Sequence, residues 1–246
     1  MTFCIGIKVN EGIVALADTR IVRGHEQSTK QKLFEFKHAE RSLFTTTSGL
    51  RSVRDKTMTY VEETLHNHAT TYDYFYQFAN LFGEQLRRVK LEDGPALAAT
   101  HHSFNLNAII GGQLSADQEP KLFYVFPEGN WVESTPDTPY FMVGRTYYAK
   151  PLLDLLLRKD TSLRSAVTLA LLAFEATQTS VTDVGYPVDV MVLPNGGSAS
   201  SFQRYNETDV KYMTDNWKAS LDQTLLNLPM DWASPLFSNP FTGHSS

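Results

Sequence analysis

The sequence predicts an α+β protein in which two packed sheets carry a helix layer on each outer side. Three observations predict it. Strand-like and helix-like stretches fall in blocks (strands, two helices, strands, two helices, strands) instead of alternating singly. The chain is 246 residues long and 42% hydrophobic, enough to bury a substantial core. No internal repeat or low-complexity linker interrupts it, so residues 1–246 read as a single domain, with 207–246 as a C-terminal helix and tail extension.

The first strand is Phe3-Cys4-Ile5-Gly6-Ile7-Lys8-Val9, with Phe3, Ile5, Ile7 and Val9 on one face. Asn10-Glu11-Gly12 reads as a three-residue turn with glycine last, as in a bulged hairpin. The next run, Ile13 to Asp18, is almost wholly apolar and reads as a buried strand. Strands are then expected at 33–36 and at 41–47, the latter feeding Ser48-Gly49. Val53, Thr57, Tyr60, Val61 and Leu65 trace one helix face; Phe75, Phe78, Ala79, Phe82, Leu86 and Val89 trace a second, whose aromatic stripe reads as core packing. Strands follow at 104–112, 122–126, 131–133 and 140–143, helices at 147–157 and 162–179, and strands at 188–193 and 200–205. A last helix, 208–226, carries Val210, Met213, Trp217, Leu221 and Leu225 on one side. Beyond Pro229 a tail holds Trp232, Leu236, Phe237 and Phe241. Those large apolar groups either fold back on their own domain or meet a neighbouring subunit.

Thr2 carries the chemistry. N-terminal methionine is normally trimmed before a small residue, and the new terminus would place a hydroxyl and a free α-amine on one residue. The amine titrates near about 7.7–8 and can take the hydroxyl proton, so one residue supplies nucleophile and base. Pairing Val9 with Ile13 would set Cys4 opposite Asp18 and Thr2 opposite Arg20. Thr2 and Asp18 would then be diagonal neighbours about 7–8 Å apart, a gap a lysine would bridge. Lys30 and Lys32 both offer such an ammonium, whose field would lower the pKa of the amine and hydroxyl. The plainer reading has Asp18 ending a strand and both lysines solvated.

Thr2, the hairpin ending in Ala17-Asp18-Thr19-Arg20, Gln31-Lys32, and Ser48-Gly49 before a helix together resemble a proteasome-type β subunit. Gly144-Arg145-Thr146-Tyr147-Tyr148-Ala149-Lys150-Pro151-Leu152-Leu153-Asp154 and Val184-Gly185-Tyr186-Pro187-Val188-Asp189 are similar to motifs of the bacterial Anbu (ancestral β subunit) branch. The likeness runs in order from Thr2 to about residue 193. It implies a four-layer αββα sandwich of the N-terminal-nucleophile hydrolase type, with two antiparallel sheets between helix layers. It also implies Thr2 as nucleophile, Asp18 and Lys32 as its support, and the Gly49 amide as an oxyanion donor. Two features depart from the family pattern. Gly144-Arg145-Thr146 stands where protein-cutting proteasomes carry Ser-Gly-Gly, so that hydroxyl is absent or comes from Thr146. Ser180-Val181-Thr182-Asp183 exchanges the residue types of the family's Asp-x-x-Ser loop, which would still bring Ser180 and Asp183 near the Thr2 amine.

Net charge is −5 with no long basic run, which argues against nucleic acid as a partner. The lone Cys4 excludes an intrachain disulfide, suits a reducing cytoplasm and reads as a small core residue. No signal peptide and no apolar run of about 18 residues is present, so a soluble protein without a membrane partner is expected. His66 with His68 and the adjacent His101-His102 lack helical zinc spacing, and Gly111-Gly112 and Gly196-Gly197 lack a following Lys-Ser/Thr helix. Neither metal nor cofactor is expected. The resulting expectation is a threonine hydrolase of peptide or protein amide bonds within a self-compartmentalising homo-oligomer, a ring or an open helix. The alternatives are a small-peptide amidohydrolase of the same fold and an inactive structural ring subunit. The natural substrate, ring size and an ATPase partner stay open.

Overall fold

The computed structural model describes residues 2–24, 26–38, 40–67, 72–196 and 199–237. Met1, His68, Gly197 and Phe241 lie outside the described residues. The chain divides into two compact units, residues 1–207 and 208–246.

The first unit opens with β1 (Phe3–Val9) and β2 (Gly12–Asp18), then β3 (Arg20–Arg23), β4 (Glu26–Thr29), β5 (Leu33–His38) and β6 (Arg41–Gly49). Two helices follow, α1 (Arg51–Asn67) and α2 (Phe75–Ala99), then β7 (Leu106–Gly112), β8 (Lys121–Val125), β9 (Trp131–Glu133) and β10 (Tyr140–Gly144). Helices α3 (Lys150–Leu156) and α4 (Leu163–Ser180) precede β11 (Val188–Pro194) and β12 (Ser201–Tyr205). One five-stranded sheet runs β10-β1-β2-β11-β12 and the other β5-β6-β7-β8-β9, all neighbours antiparallel. The sheets face each other, α1 and α2 cover one and α4 the other, giving the expected αββα sandwich.

Both faces of β1 and β2 are buried because this hairpin lies in the middle of the sandwich. On one side Cys4, Ala15 and Ala17 meet Phe44, Ile109 and Leu122 of the facing sheet. On the other, Phe3 packs against Phe174 of α4, ring centroids 6.1 Å apart. The aromatic stripe of α2 is core as expected: Phe75 stacks on Phe123 of β8 at 5.6 Å, and Phe78 meets Phe36 of β5. Full burial of such a ring stabilises by about 1.5–3 kcal/mol. On edge strand β12, Arg204 opposes the fully buried Asp189 of β11 and holds it through two bonds, 2.6 and 2.8 Å.

One expectation is corrected. The first hairpin turns through Asn10-Glu11 alone, and Gly12, at φ +153°, already pairs with Val9. Packing explains it: β11 lines up along β2 as far as Pro194 opposite Gly12, and Asn195 N bonds Glu11 O, which draws Gly12 into the ladder. Cys4 therefore faces Ala17, one residue from the expected register. The polar stretch after Asp18, which carried no expected element, forms the β3–β4 hairpin. Helix α2 runs on through Gly94 and Pro95 to Ala99, past the last residue of its buried face, Val89.

The second unit continues α5 (Glu207–Asn227) and ends in a short 3₁₀ turn, Asp231–Ala233, and α6 (Ser234–Phe237). Leu225, Trp232, Leu236 and Phe237 are largely exposed, between 67% and 80%.

Candidate active site

An antiparallel hairpin brings the start of its first strand beside the end of its second. Thr2, just ahead of β1, and Asp18, the last residue of β2, meet there. Thr2 Oγ1 donates to Asp18 Oδ1 at 2.9 Å, and the same oxygen accepts from Phe3 N at 2.8 Å and Lys32 Nζ at 2.8 Å. The expected gap of about 7–8 Å is thus wrong: the one-residue register change sets Asp18 level with Phe3, and its carboxylate reaches Thr2 directly. Lys32 consequently does not bridge the two. It shares Asp18 Oδ1 with Thr2 and anchors on Arg20 O at 2.7 Å, just ahead of β5, whereas Lys30 makes no bond to Asp18. Thr2 and Lys32 are each 5% exposed and Asp18 is fully buried.

Burial pushes the Asp18 carboxyl above its ordinary pKa; the Lys32 ammonium and the bonds from Phe3 and Thr2 oppose the shift. Its second oxygen, Oδ2, is buried without a hydrogen bond among the described residues, which adds to the cost of ionisation. The Cys4 thiol is pushed up to about 11, first by burial and then by the nearby Asp18 carboxylate. The thiolate is the reactive form, so a raised pKa means an inert protonated thiol throughout the neutral range. Native protein treated with iodoacetamide at pH 8 should accordingly stay unlabelled at Cys4, and denaturant should release one reactive thiol; rapid labelling of the folded chain would contradict this.

The Thr2 carbonyl is held as firmly as its side chain. Arg145 N donates to Thr2 O at 2.8 Å, and Gly144 pairs with Phe3 in the sheet. Gly144 has φ +91°, and a Cβ there would lie 1.9 Å from Thr2 O, so only glycine fits. The Arg145 side chain reaches Asp183, with Nη2 3.0 Å from Oδ2. Burial alone would raise the Asp183 carboxyl, but the bonds and field of Arg145 hold it below its ordinary pKa. Asp183 therefore connects to Thr2 through Arg145, whereas Ser180, exposed at the end of α4, donates to Ala176 O at 3.0 Å and is not brought to Thr2. The contribution of Gly144 and Arg145 was missed from sequence. The glycine at the end of a strand-like run was the available signal.

A cavity of about 800 Å³ opens in front of Thr2. Thr2, Lys32, Thr47 and Gly49 line it on one side, and Ile21 and Val22 of the β3–β4 hairpin on another. Gly49 has φ +145°, and a Cβ there would stand 2.2 Å from Asn105 O. Four of the six sequence candidates are thus gathered: Thr2, Lys32 and Gly49 in the wall and Asp18 behind it. Among the described residues no cluster of His, Cys, Asp and Glu is arranged to hold a metal ion. His66 is tied to Glu62 O of its own helix.

The family model for "Proteasome subunit" matches residues 2–193, more than three-quarters of the chain. The chain belongs to the proteasome subunit family. Its relatives include proteasome subunit beta 1 of Ignicoccus hospitalis, 28% identical over 80% of this chain and 92% of that protein. Among solved structures it is similar to Anbu (ancestral β subunit) from Yersinia bercovieri, at 29% identity and TM-score 0.83, covering 92% of this chain and 97% of that one. It is also similar to the helical assembly of the Anbu complex from Pseudomonas aeruginosa, at 27% identity and TM-score 0.84, covering 99% and 100%. In this proteasome-family chain the match ends within β11, leaving β12 and the second unit beyond it. No helix among the described residues is long and apolar enough to cross a membrane.

Proposed function

We propose that the chain is an N-terminal threonine hydrolase that cleaves peptide amide bonds as a subunit of a homo-oligomer. The observation that carries this reading is the Thr2–Asp18–Lys32 cluster, buried on one side and open to a cavity on the other. Removal of Met1 frees the Thr2 amine. Thr2 Oγ attacks the substrate carbonyl as its proton passes to that amine, forming the new C–O bond. The Gly49 amide stabilises the tetrahedral oxyanion, a contribution of about 2.7–4 kcal/mol per donor. Collapse breaks the C–N bond; the ammonium returns the proton to the leaving amine and the acyl group stays on Thr2. Water, deprotonated by the same amine, then releases the acid. Asp18 holds the hydroxyl in position, and the Lys32 ammonium favours the charged carboxylate that accepts its hydrogen bond. Asp183 acts through Arg145 on the Thr2 carbonyl. Turnover of short peptide amides by the full-length protein tests the reading, with failure to hydrolyse any of them counting against it.

For assembly, two observations favour self-association: the exposed Trp232, Leu236 and Phe237, and the likeness to an Anbu complex solved as a helical assembly. A truncation after Asn206 is expected to fold yet run smaller than the full chain in light scattering. A full-length chain that is monomeric at micromolar concentration would refute it. A free, buried Cys4 fits a cytoplasmic setting.

A further inference from the structure

The cavity in front of Thr2 is unevenly charged. Lys30, Lys32, Arg51 and Arg54 line it, and Glu26 is the one acidic residue among the described residues of its wall. Lys32 is committed to Asp18. Arg51 and Arg54 share a single carboxylate, Asp55, with Arg51 Nε 3.1 Å from Oδ2 and Arg54 Nη2 2.6 Å from Oδ1. Lys30 forms no ion pair among the described residues. These four cations face three carboxylates, Glu26, Asp18 and Asp55, so one positive charge is uncompensated.

Arg54 is also held in place. Its side chain is only 11% exposed, its guanidinium lies 5.3 Å from the Phe34 ring centroid, and Nε and Nη2 both bond Asp55 Oδ1. A guanidinium has five N–H groups, so the fork keeps donors for a second carboxylate at little further loss of freedom. Leu50 and Arg51, at the start of α1, lie in the same wall, and the first turn of α1 holds no acidic residue. The helix dipole adds to the positive sign.

We propose that this cavity selects peptides with an acidic side chain on the acyl side of the scissile amide, its carboxylate seated by Arg54, Arg51 and Lys30. The inference rests on Thr2 as the reacting residue, since the basic wall and Thr2 share one cavity. A basic side chain would add a cation to an already positive wall, and an apolar one would strip water from the guanidinium groups without replacing their partners.

The test uses full-length Thr2→Ala protein and fluorescent tripeptide amides ending in Glu, Leu or Lys, read by anisotropy. The Glu peptide is expected to bind about tenfold more tightly than the other two, with the margin shrinking in about 1 M salt. Combining Lys30→Glu with Arg51→Glu should reverse the order of Glu and Lys. Equal or tighter binding of the Leu or Lys peptide overturns the proposal, as does no measurable Glu binding at millimolar peptide or an unchanged order in the charge-reversed protein. Turnover of the same peptides by the unsubstituted protein separates the two readings. Selective binding without turnover overturns the threonine mechanism alone, and turnover fastest on Leu overturns the selectivity alone.

Discussion

Thr2→Ala is expected to lower hydrolysis of peptide amides by at least about a thousandfold, the scale on which loss of a covalent nucleophile is felt. The fold should survive. The substitution removes one hydrogen bond from Asp18, which keeps Phe3 N at 2.8 Å and Lys32 Nζ at 2.8 Å. One such bond is worth about 1 kcal/mol, or about 2–4 °C in Tm for a chain of this size. Turnover measured beside a thermal melt checks both halves. Turnover that persists in a stably folded Thr2→Ala protein would move the chemistry elsewhere. Cys4 would be a poor destination, with no exposed surface and a thiol pKa pushed up to about 11.

Lys32→Ala should cost both activity and stability. It strands a fully buried carboxylate, since Lys32 is the one cation on Asp18 among the described residues. Breaking a buried ion pair from one side costs about 3–5 kcal/mol. Activity should fall by about a hundredfold or more, because the hydroxyl of Thr2 hangs on the same oxygen that Lys32 braces. Asp18→Asn should resemble Lys32→Ala, and the double variant should lose less than the two single losses together, because each removes the other's partner. Denaturant unfolding and kcat/KM on the four proteins form the cycle. Lys30→Ala makes the contrast: with no bond to Asp18, it should leave the unfolding free energy within about 0.5 kcal/mol of the parent. Full additivity of the Asp18 and Lys32 losses would show that the pair does not act as a unit.

The layer order was legible because apolar residues at 3.6-residue spacing mark α1, α2 and α4, and apolar runs mark β1, β2, β7 and β11. The β3–β4 hairpin was not legible. Glu26-Gln27-Ser28-Thr29 is polar and exposed throughout, so no burial pattern is written into it, and its pairing comes from the backbone alone. That hairpin supplies a cavity wall, so the shape of the site was hidden with it. The Thr2–Asp18 contact was misjudged by a single residue of register. The apolar pattern of β2 leaves that register weakly specified, because both of its faces are buried. Thr2, Asp18 and Lys32 could still be named, since a family resemblance in motif order does not depend on the register. Arg145 could not: its use is a main-chain N–H, and a backbone donor has no residue-type signature.

The central claim is that Thr2 is the N-terminal residue of the active protein and carries the acyl group. Mass spectrometry of the peptide-hydrolysing protein, after brief reaction with an activated ester of a short peptide, reads both at once. The expected result is a chain beginning at Thr2 with a single acyl group on that residue. An active chain that retains Met1, or an acyl group found on any other residue, would contradict the mechanism.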